Sequence, residues 1–186
     1  MSEKRPRLTP EDWIYAGFRA LVSDGPDGLK AEPLARMLGT TKGSFYWHFQ
    51  DVRDFHVKML ALWEAQSVDA VTATLDQENN PVRRLYRLGE ISTDSSANYG
   101  GDGAEPAIRA WAHGHPDVAK CVARVDAKRL EYLSQILADL DLTNPEFTRI
   151  IYGAYIGLGT LSATDQTDNS GAMSTLLAAL LALRDA

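Results

Sequence analysis

The sequence predicts an all-α protein: a three-helix N-terminal head with a helix-turn-helix, linked by a long helix to an all-helical body, about nine helices in all. Three observations predict it. Apolar residues recur at three- and four-residue spacing over most of the 186 positions. Helix start and stop residues fall between the apolar runs. No stretch alternates convincingly enough for a strand, and there is no repeat or low-complexity tract.

Thr9-Pro10-Glu11-Asp12 starts the first helix: a Thr N-cap, Pro in the first turn, then acids near the positive end of the helix dipole. Trp13, Ile14, Phe18 and Leu21 follow at helical spacing, and the loop Asp24-Gly25-Pro26-Asp27-Gly28 ends it. A short helix over Ala31–Leu38 tolerates Pro33 in its first turn and stops at Gly39. Thr40 or Thr41 caps the next, over Lys42–Phe49, and Asp51 caps a long helix to about Leu75.

Pro81–Ala97 reads as a helix with Val82, Leu85, Leu88 and Ile91 on one face, followed by a loop over Asn98–Gly103. Glu105–Ala112 is a short helix and Pro116–Leu140 a long one. Asn144-Pro145-Glu146 starts another, and Ala172–Leu183 is the last. These elements divide into two parts, residues 1–50 and residues 51–186.

Cys121 is the single cysteine, which rules out an intrachain disulfide and a Cys-based zinc site and fits a reducing cytoplasm. The N-terminal ten residues lack the apolar segment of a signal peptide. The longest apolar stretches, Ile150–Ala163 and Ala172–Leu183, fall short of the ~20 residues a membrane span needs. The net charge of −6 is unevenly spread. Residues 1–60 carry nine Lys and Arg against eight Asp and Glu, so the acidity belongs to the remainder. A near-neutral head still binds nucleic acid if its cations share a face.

The segment Leu34-Ala35-Arg36-Met37-Leu38-Gly39-Thr40-Thr41-Lys42-Gly43-Ser44-Phe45-Tyr46-Trp47-His48-Phe49 has the layout of a helix-turn-helix, two short helices around a Gly-containing turn. Leu34, Ala35 and Leu38 give the first helix a buried face, and Phe45 and Phe49, four apart, anchor the second. Lys42, Gly43, Ser44, Tyr46, Trp47 and His48 are left facing outward, with side chains suited to phosphates and base edges. Tyr46 is equally compatible with a partly buried position.

At these residues the sequence resembles the TetR family of bacterial regulators, through the pattern Leu-Ala-x-x-Leu-Gly-(Ser/Thr)-(Thr/Ser)-Lys-Gly-(Ser/Thr)-aromatic-Tyr-x-His-Phe. The resemblance implies a homodimeric repressor that binds double-stranded operator DNA, dimerises through its last two long helices, and is released by a small-molecule effector. By motif position it implies that Lys42 and Gly43 lie nearest the bases, supported by Thr41 and Ser44. Tyr46, Trp47 and His48 then meet the DNA backbone or flanking bases. Two positions depart from the pattern. Val52 stands where the family commonly has a phosphate-contacting Lys, a role Arg53 is placed to take. Lys30-Ala31-Glu32 replaces a phosphate-contacting Thr, with Lys30 as substitute and Glu32 as a repelling neighbour.

In the body, Trp63, Tyr86, Trp111, Tyr132, Tyr152 and Tyr155 are candidates for the wall of a ligand cavity, with ordinary core as the alternative for each. Arg109, Asp126 and Arg129 read as a surface ion pair, or as a polar network beneath such a cavity. Gly153 and Gly157, small residues along one side of an apolar helix, with Leu176 and Leu180 of the last helix, are candidates for a dimer interface. Interior glycine costs a helix ~1 kcal/mol relative to alanine, and close approach of another helix is the return. His113 and His115 read as solvated rather than as metal ligands, Cys121 as a small buried apolar residue, and no cofactor is expected. A helical enzyme and a protein-binding adaptor are the competing classes. No phosphate loop, Glu-x-x-His pair or nucleophile elbow supports the first, and the second leaves the Lys42–His48 face unexplained.

Overall fold

The structure, a computed structural model, describes residues 8–93 and 103–183, and every regular element among them is helical. The head consists of α1 (Pro10–Asp24), a 3-10 turn (Gly25–Leu29), α2 (Ala31–Met37) and α3 (Lys42–Phe45). The cap residues act as the sequence predicts. Thr9 forms a reciprocal capping box with Asp12, accepting from its amide while the Asp12 carboxylate accepts from the Thr9 amide at 2.7 Å. Gly25 and Gly39 end α1 and α2 with φ of +67° and +62°, a region that costs other L-residues strain. Thr41 caps α3 through the Ser44 amide.

The long helix is not regular throughout. It runs as α4 (Val52–Glu64), a π-helical turn (Ala65–Asp69) and α5 (Ala70–Leu75). Trp63 and Val68 explain the π turn: both are buried, and they stand five residues apart. A regular α-helix would turn Val68 away from Trp63, whereas the wider turn keeps both on the core side. The Ser67 carbonyl then accepts a hydrogen bond from Arg129 Nε at 3.3 Å, a side chain from another helix.

The body comprises α6 (Pro81–Thr93), α7 (Ala104–Ala112), α8 (Pro116–Ala138), α9 (Pro145–Asp165) and α10 (Ser170–Ala182). The sequence extends α6 to Ala97, but residues 94–97 lie outside the described residues. The α8 helix stops two residues before the predicted Leu140. Asp141 adopts φ +60° and folds Leu140 and Leu142 back into the core. No described helix is long and apolar enough to cross a membrane.

Two apolar cores result. The first joins the head to the body: Trp13, Phe18, Phe45 and Phe55 pack with Ile108 of α7 and Val118 and Val125 of α8. The second lies among α6, α8, α9 and α10, around Leu85, Leu137, Ile151 and Leu177. Each such large apolar side chain contributes roughly 1.5–3 kcal/mol over an exposed one. Glycine leaves room for a neighbouring side chain at two close helix contacts. A Cβ on Gly17 would stand 2.6 Å from Phe55, and one on Gly89 would stand 2.8 Å from Leu177.

His56 of α4 marks the seam between head and body. Its ring sits edge-on to Trp111, centroids 4.9 Å apart, and 6.3 Å from the ring of His115. Burial, reinforced by the nearby His115, holds its pKa below the ordinary 6.5. The unfolded chain therefore takes up the proton first as pH falls. The stability that neutral His56 confers is complete above about pH 6.5 and declines below it. Thermal melts should show stability falling from pH 6.5 towards 5, with a flatter profile for His56→Gln. Identical profiles for the two proteins would remove His56 as the cause.

Candidate functional site

The helix-turn-helix rests on an aromatic base. Phe45 and Phe49 are buried, with ring centroids 4.9 Å apart. Trp13 of α1 meets Phe45 edge-on at 5.4 Å, and Phe55 of α4 lies 5.0 Å from Phe49. This cluster fixes a segment too short to be helical by itself. Regular α-helix covers only Lys42–Phe45, and tighter turns continue to Phe49 through bonds such as His48 N–H to the Phe45 carbonyl at 3.0 Å.

The opposite face is open. Thr41, Lys42, Gly43, Tyr46 and Trp47 are exposed, and Ser44 and His48 are half-buried. Trp47 is 79% exposed and Tyr46 48%. Tyr46 leans its ring edge on Phe45 at 5.3 Å, so it is held in direction while its rim stays in solvent. Among the described residues Lys42 forms no ion pair.

The flanking residues are less free. Lys30 pairs with Asp27 at 2.7 Å, and Arg53 lies 3.6 Å from Asp117 at the start of α8. Glu32, the neighbour expected to repel phosphate, has Arg36 at 3.9 Å. Val52 packs against the first core. A contact the sequence reading missed comes from Lys58. Its ammonium bonds Asp54 at 2.8 Å and reaches the His48 carbonyl at 3.4 Å, bracing the end of the exposed face. The only signal was an Asp and a Lys four apart.

Behind the head, α4–α5, α6, α7, α8, α9 and α10 line a partly open, largely apolar cavity of about 150 Å³. Of the six aromatic candidates, Trp63, Tyr132, Tyr152 and Tyr155 line it. Tyr86 does not: it faces a shallow surface hollow beside Thr74 and Glu90. Trp111 belongs to the first core, against His56 and His115. Both sit on helices at positions the period alone cannot distinguish from a cavity wall. Cys121 is buried, and burial raises its thiol pKa above the ordinary value.

At one end of the cavity Arg109, Arg129, Glu105, Asp126 and Tyr152 form a half-buried network, rather than a surface ion pair. Arg109 bonds Glu105 at 2.8 Å and Asp126 at 2.6 Å, and Arg129 bonds Glu105 at 2.8 Å. Tyr152 donates to Asp126 at 2.7 Å. Burial alone would raise the Asp126 pKa, but the bonds from Arg109 and Tyr152 outweigh it and hold the carboxyl below 3.8. Burial and the Glu105 charge push the Tyr155 phenol up to about 12. Glu105 and Ser67 were missed as wall residues. In the sequence Glu105 reads only as the start of a helix, and nothing announces the π turn that carries Ser67.

On α9, a Cβ added to Gly153 or Gly157 would meet nothing within 4 Å. Ile150 and Leu161 share their helical face and are exposed. Leu176 of α10 is half-buried, whereas Leu180 turns inward and is part of the second core.

No protein-family model matches the chain, and no curated protein matches it by sequence. Solved structures do match. FadR, a fatty acid degradation regulator from Bacillus halodurans, superposes with a TM-score of 0.74 at 15% identity, covering 97% of both chains. A Rhodococcus protein assigned to the TetR family of transcriptional regulators gives 0.68 at 18%, over 92% of this chain and 95% of its own. Reduced NemR of E. coli gives 0.69 at 17%, with the same coverage. The chain has the all-α fold of these regulators.

Proposed function

We propose that the chain is a ligand-responsive, DNA-binding transcription regulator of the TetR type that acts as a homodimer in the reducing cytoplasm. The observation that carries this reading is the exposed Lys42–His48 face on a rigid aromatic base. A bare indole beside an exposed phenol and an ammonium without an ion pair among the described residues calls for a partner, and the duplex backbone and groove suit all three. The shared fold supports the same reading.

In the proposed mechanism, Lys42 and Gly43 approach the base edges of the major groove. Thr41, Ser44, Tyr46, Trp47 and His48 contact backbone and flanking bases, with Lys30 and Arg53 at the margins. The stripe Ile150–Gly153–Gly157–Leu161 on α9, with Leu176 of α10, is the proposed dimer face. It would set two recognition helices about one DNA turn, ~34 Å, apart on a palindrome. An effector in the cavity between α6, α8 and α10 would favour a conformer with different spacing and release the operator, which makes the chain a repressor.

Lys42→Ala and Trp47→Ala should each weaken duplex binding by about 1–3 kcal/mol, roughly 5- to 150-fold, with the melting midpoint unchanged because neither side chain is buried. Lys42→Ala should also reduce the slope of log affinity against log salt by about 1 if it neutralises a phosphate. Binding that is unaltered in both variants would sink the assignment. An apolar protein-docking role for Trp47 would show instead as binding insensitive to salt.

A further inference from the structure

Resting on the reading of the cavity as an effector site, we infer that its ligand is an uncharged, largely apolar molecule carrying one hydrogen-bond acceptor, about the size of a single substituted aromatic ring. The size follows from the volume of about 150 Å³, comparable to an apolar cavity that admits benzene. The walls from α6 and α10 are apolar: Leu85, Leu88, Met173 and Leu177.

The charges cancel at the cavity, lined by Glu105 and Arg129, and just behind it, where Arg109 and Asp126 lie. Two guanidiniums, Arg109 and Arg129, face two carboxylates, Glu105 and Asp126, and each group is already bonded to an opposite charge. Arg129 is committed further. It bonds both Glu105 oxygens, at 2.8 and 3.2 Å, gives Nε–H to the Ser67 carbonyl, and lies over the Tyr155 ring with 5.3 Å to the centroid. A ligand anion would find no spare cation, and a ligand cation no spare carboxylate. Either would leave water without the compensation that burying a charge requires.

Two of the three wall tyrosines also have engaged hydroxyls. Tyr132 donates to Asp76 at 2.7 Å and Tyr152 to Asp126. Ser92 donates to the Gly89 carbonyl at 2.8 Å. Ser67 stands apart. Its Oγ is buried with no hydrogen-bond partner among the described residues, and it lines the cavity from the π turn. Buried hydroxyls in folded chains are paired with few exceptions. This one has a single torsion to turn, and a ligand acceptor would satisfy it.

The test uses the full-length protein, calorimetry, and four probes of one size: acetophenone, ethylbenzene, benzoate and benzylamine, the last as its ammonium at neutral pH. Acetophenone should bind at least tenfold more tightly than benzoate or benzylamine. It should exceed ethylbenzene three- to tenfold in the wild type, the range for one net hydrogen bond, and equal it in Ser67→Ala. Val71→Trp, which fills the cavity from α5, should abolish binding, and Leu88→Phe provides the same test should Val71→Trp fail to fold. Benzoate or benzylamine matching acetophenone would overturn the ligand class, as would binding that survives both filled cavities or no binding of either neutral probe. Release of a selected duplex separates the two readings. Acetophenone bound in the cavity without weakening duplex binding leaves the ligand class intact and removes the effector role. Benzoate bound there and releasing DNA does the reverse.

Discussion

Phe45→Ala is expected to destabilise the chain by about 3–5 kcal/mol, the range for removing a fully buried aromatic ring. At about 2–4 °C per kcal/mol for a chain of this length, the melting midpoint should fall on the order of 10 °C. Phe45 has no solvent exposure and meets four other rings, Trp13, Tyr46, Phe49 and Phe55, with centroids 4.9 to 5.4 Å away. Those partners come from α1, the turn after α3, and α4, so one deletion loosens the packing of the helix-turn-helix on both α1 and α4. Phe45→Leu keeps most of the volume and should cost far less. Denaturant titration of both variants checks this, and a loss below about 1 kcal/mol for the alanine variant would show that the ring is not the anchor. Duplex binding should fall with stability in Phe45→Ala, whereas Trp47→Ala should lose binding alone.

Arg109→Met is the second large effect, expected at about 3 kcal/mol near pH 7. That is the low end for breaking a buried ion pair, because the arginine keeps 17% and Asp126 29% side-chain exposure. Removing the guanidinium leaves Asp126 with Tyr152 as its hydrogen-bond donor, and leaves Glu105 with Arg129. The pH dependence gives the sign. In the wild type Asp126 has a lowered pKa, so its contribution is complete above the ordinary 3.8 and is lost as pH falls through its folded value. In Arg109→Met the stranded carboxyl is relieved by protonation, so the deficit should shrink towards acid pH. Adding Asp126→Leu to Arg109→Met should cost less than the two single changes together, the signature of coupled partners. Strict additivity, or a deficit that grows in acid, would contradict the network.

Much of the architecture was legible because local chemistry and tertiary structure agree. Thr9, Thr41, Asp51 and Asn144 are good N-caps, and each bonds the amide its position calls for. Phe45 and Phe49 are four apart, and that spacing alone separates the anchored from the exposed side of the helix-turn-helix. Other features depend on contacts between distant residues. The π turn at Ala65–Asp69 sits in a sequence that reads as plain helix, and it is matched by Arg129, sixty-two residues after Ser67. Arg109 and Asp126 are seventeen residues apart on different helices, so no helical spacing links them. Leu180, Trp111 and Tyr86 show the limit of periodicity. It places a side chain on a face, but whether that face meets core, cavity or solvent depends on how α10, α7 and α6 are rotated in the bundle.

The most direct test of the central claim is selection from a random duplex library with the purified protein at two salt concentrations, followed by sequencing of what is retained. The proposed function predicts an enriched palindrome whose half-sites are centred about one helical turn apart and whose binding weakens steeply as salt rises. No enriched sequence at either salt concentration, with the protein folded, would contradict it.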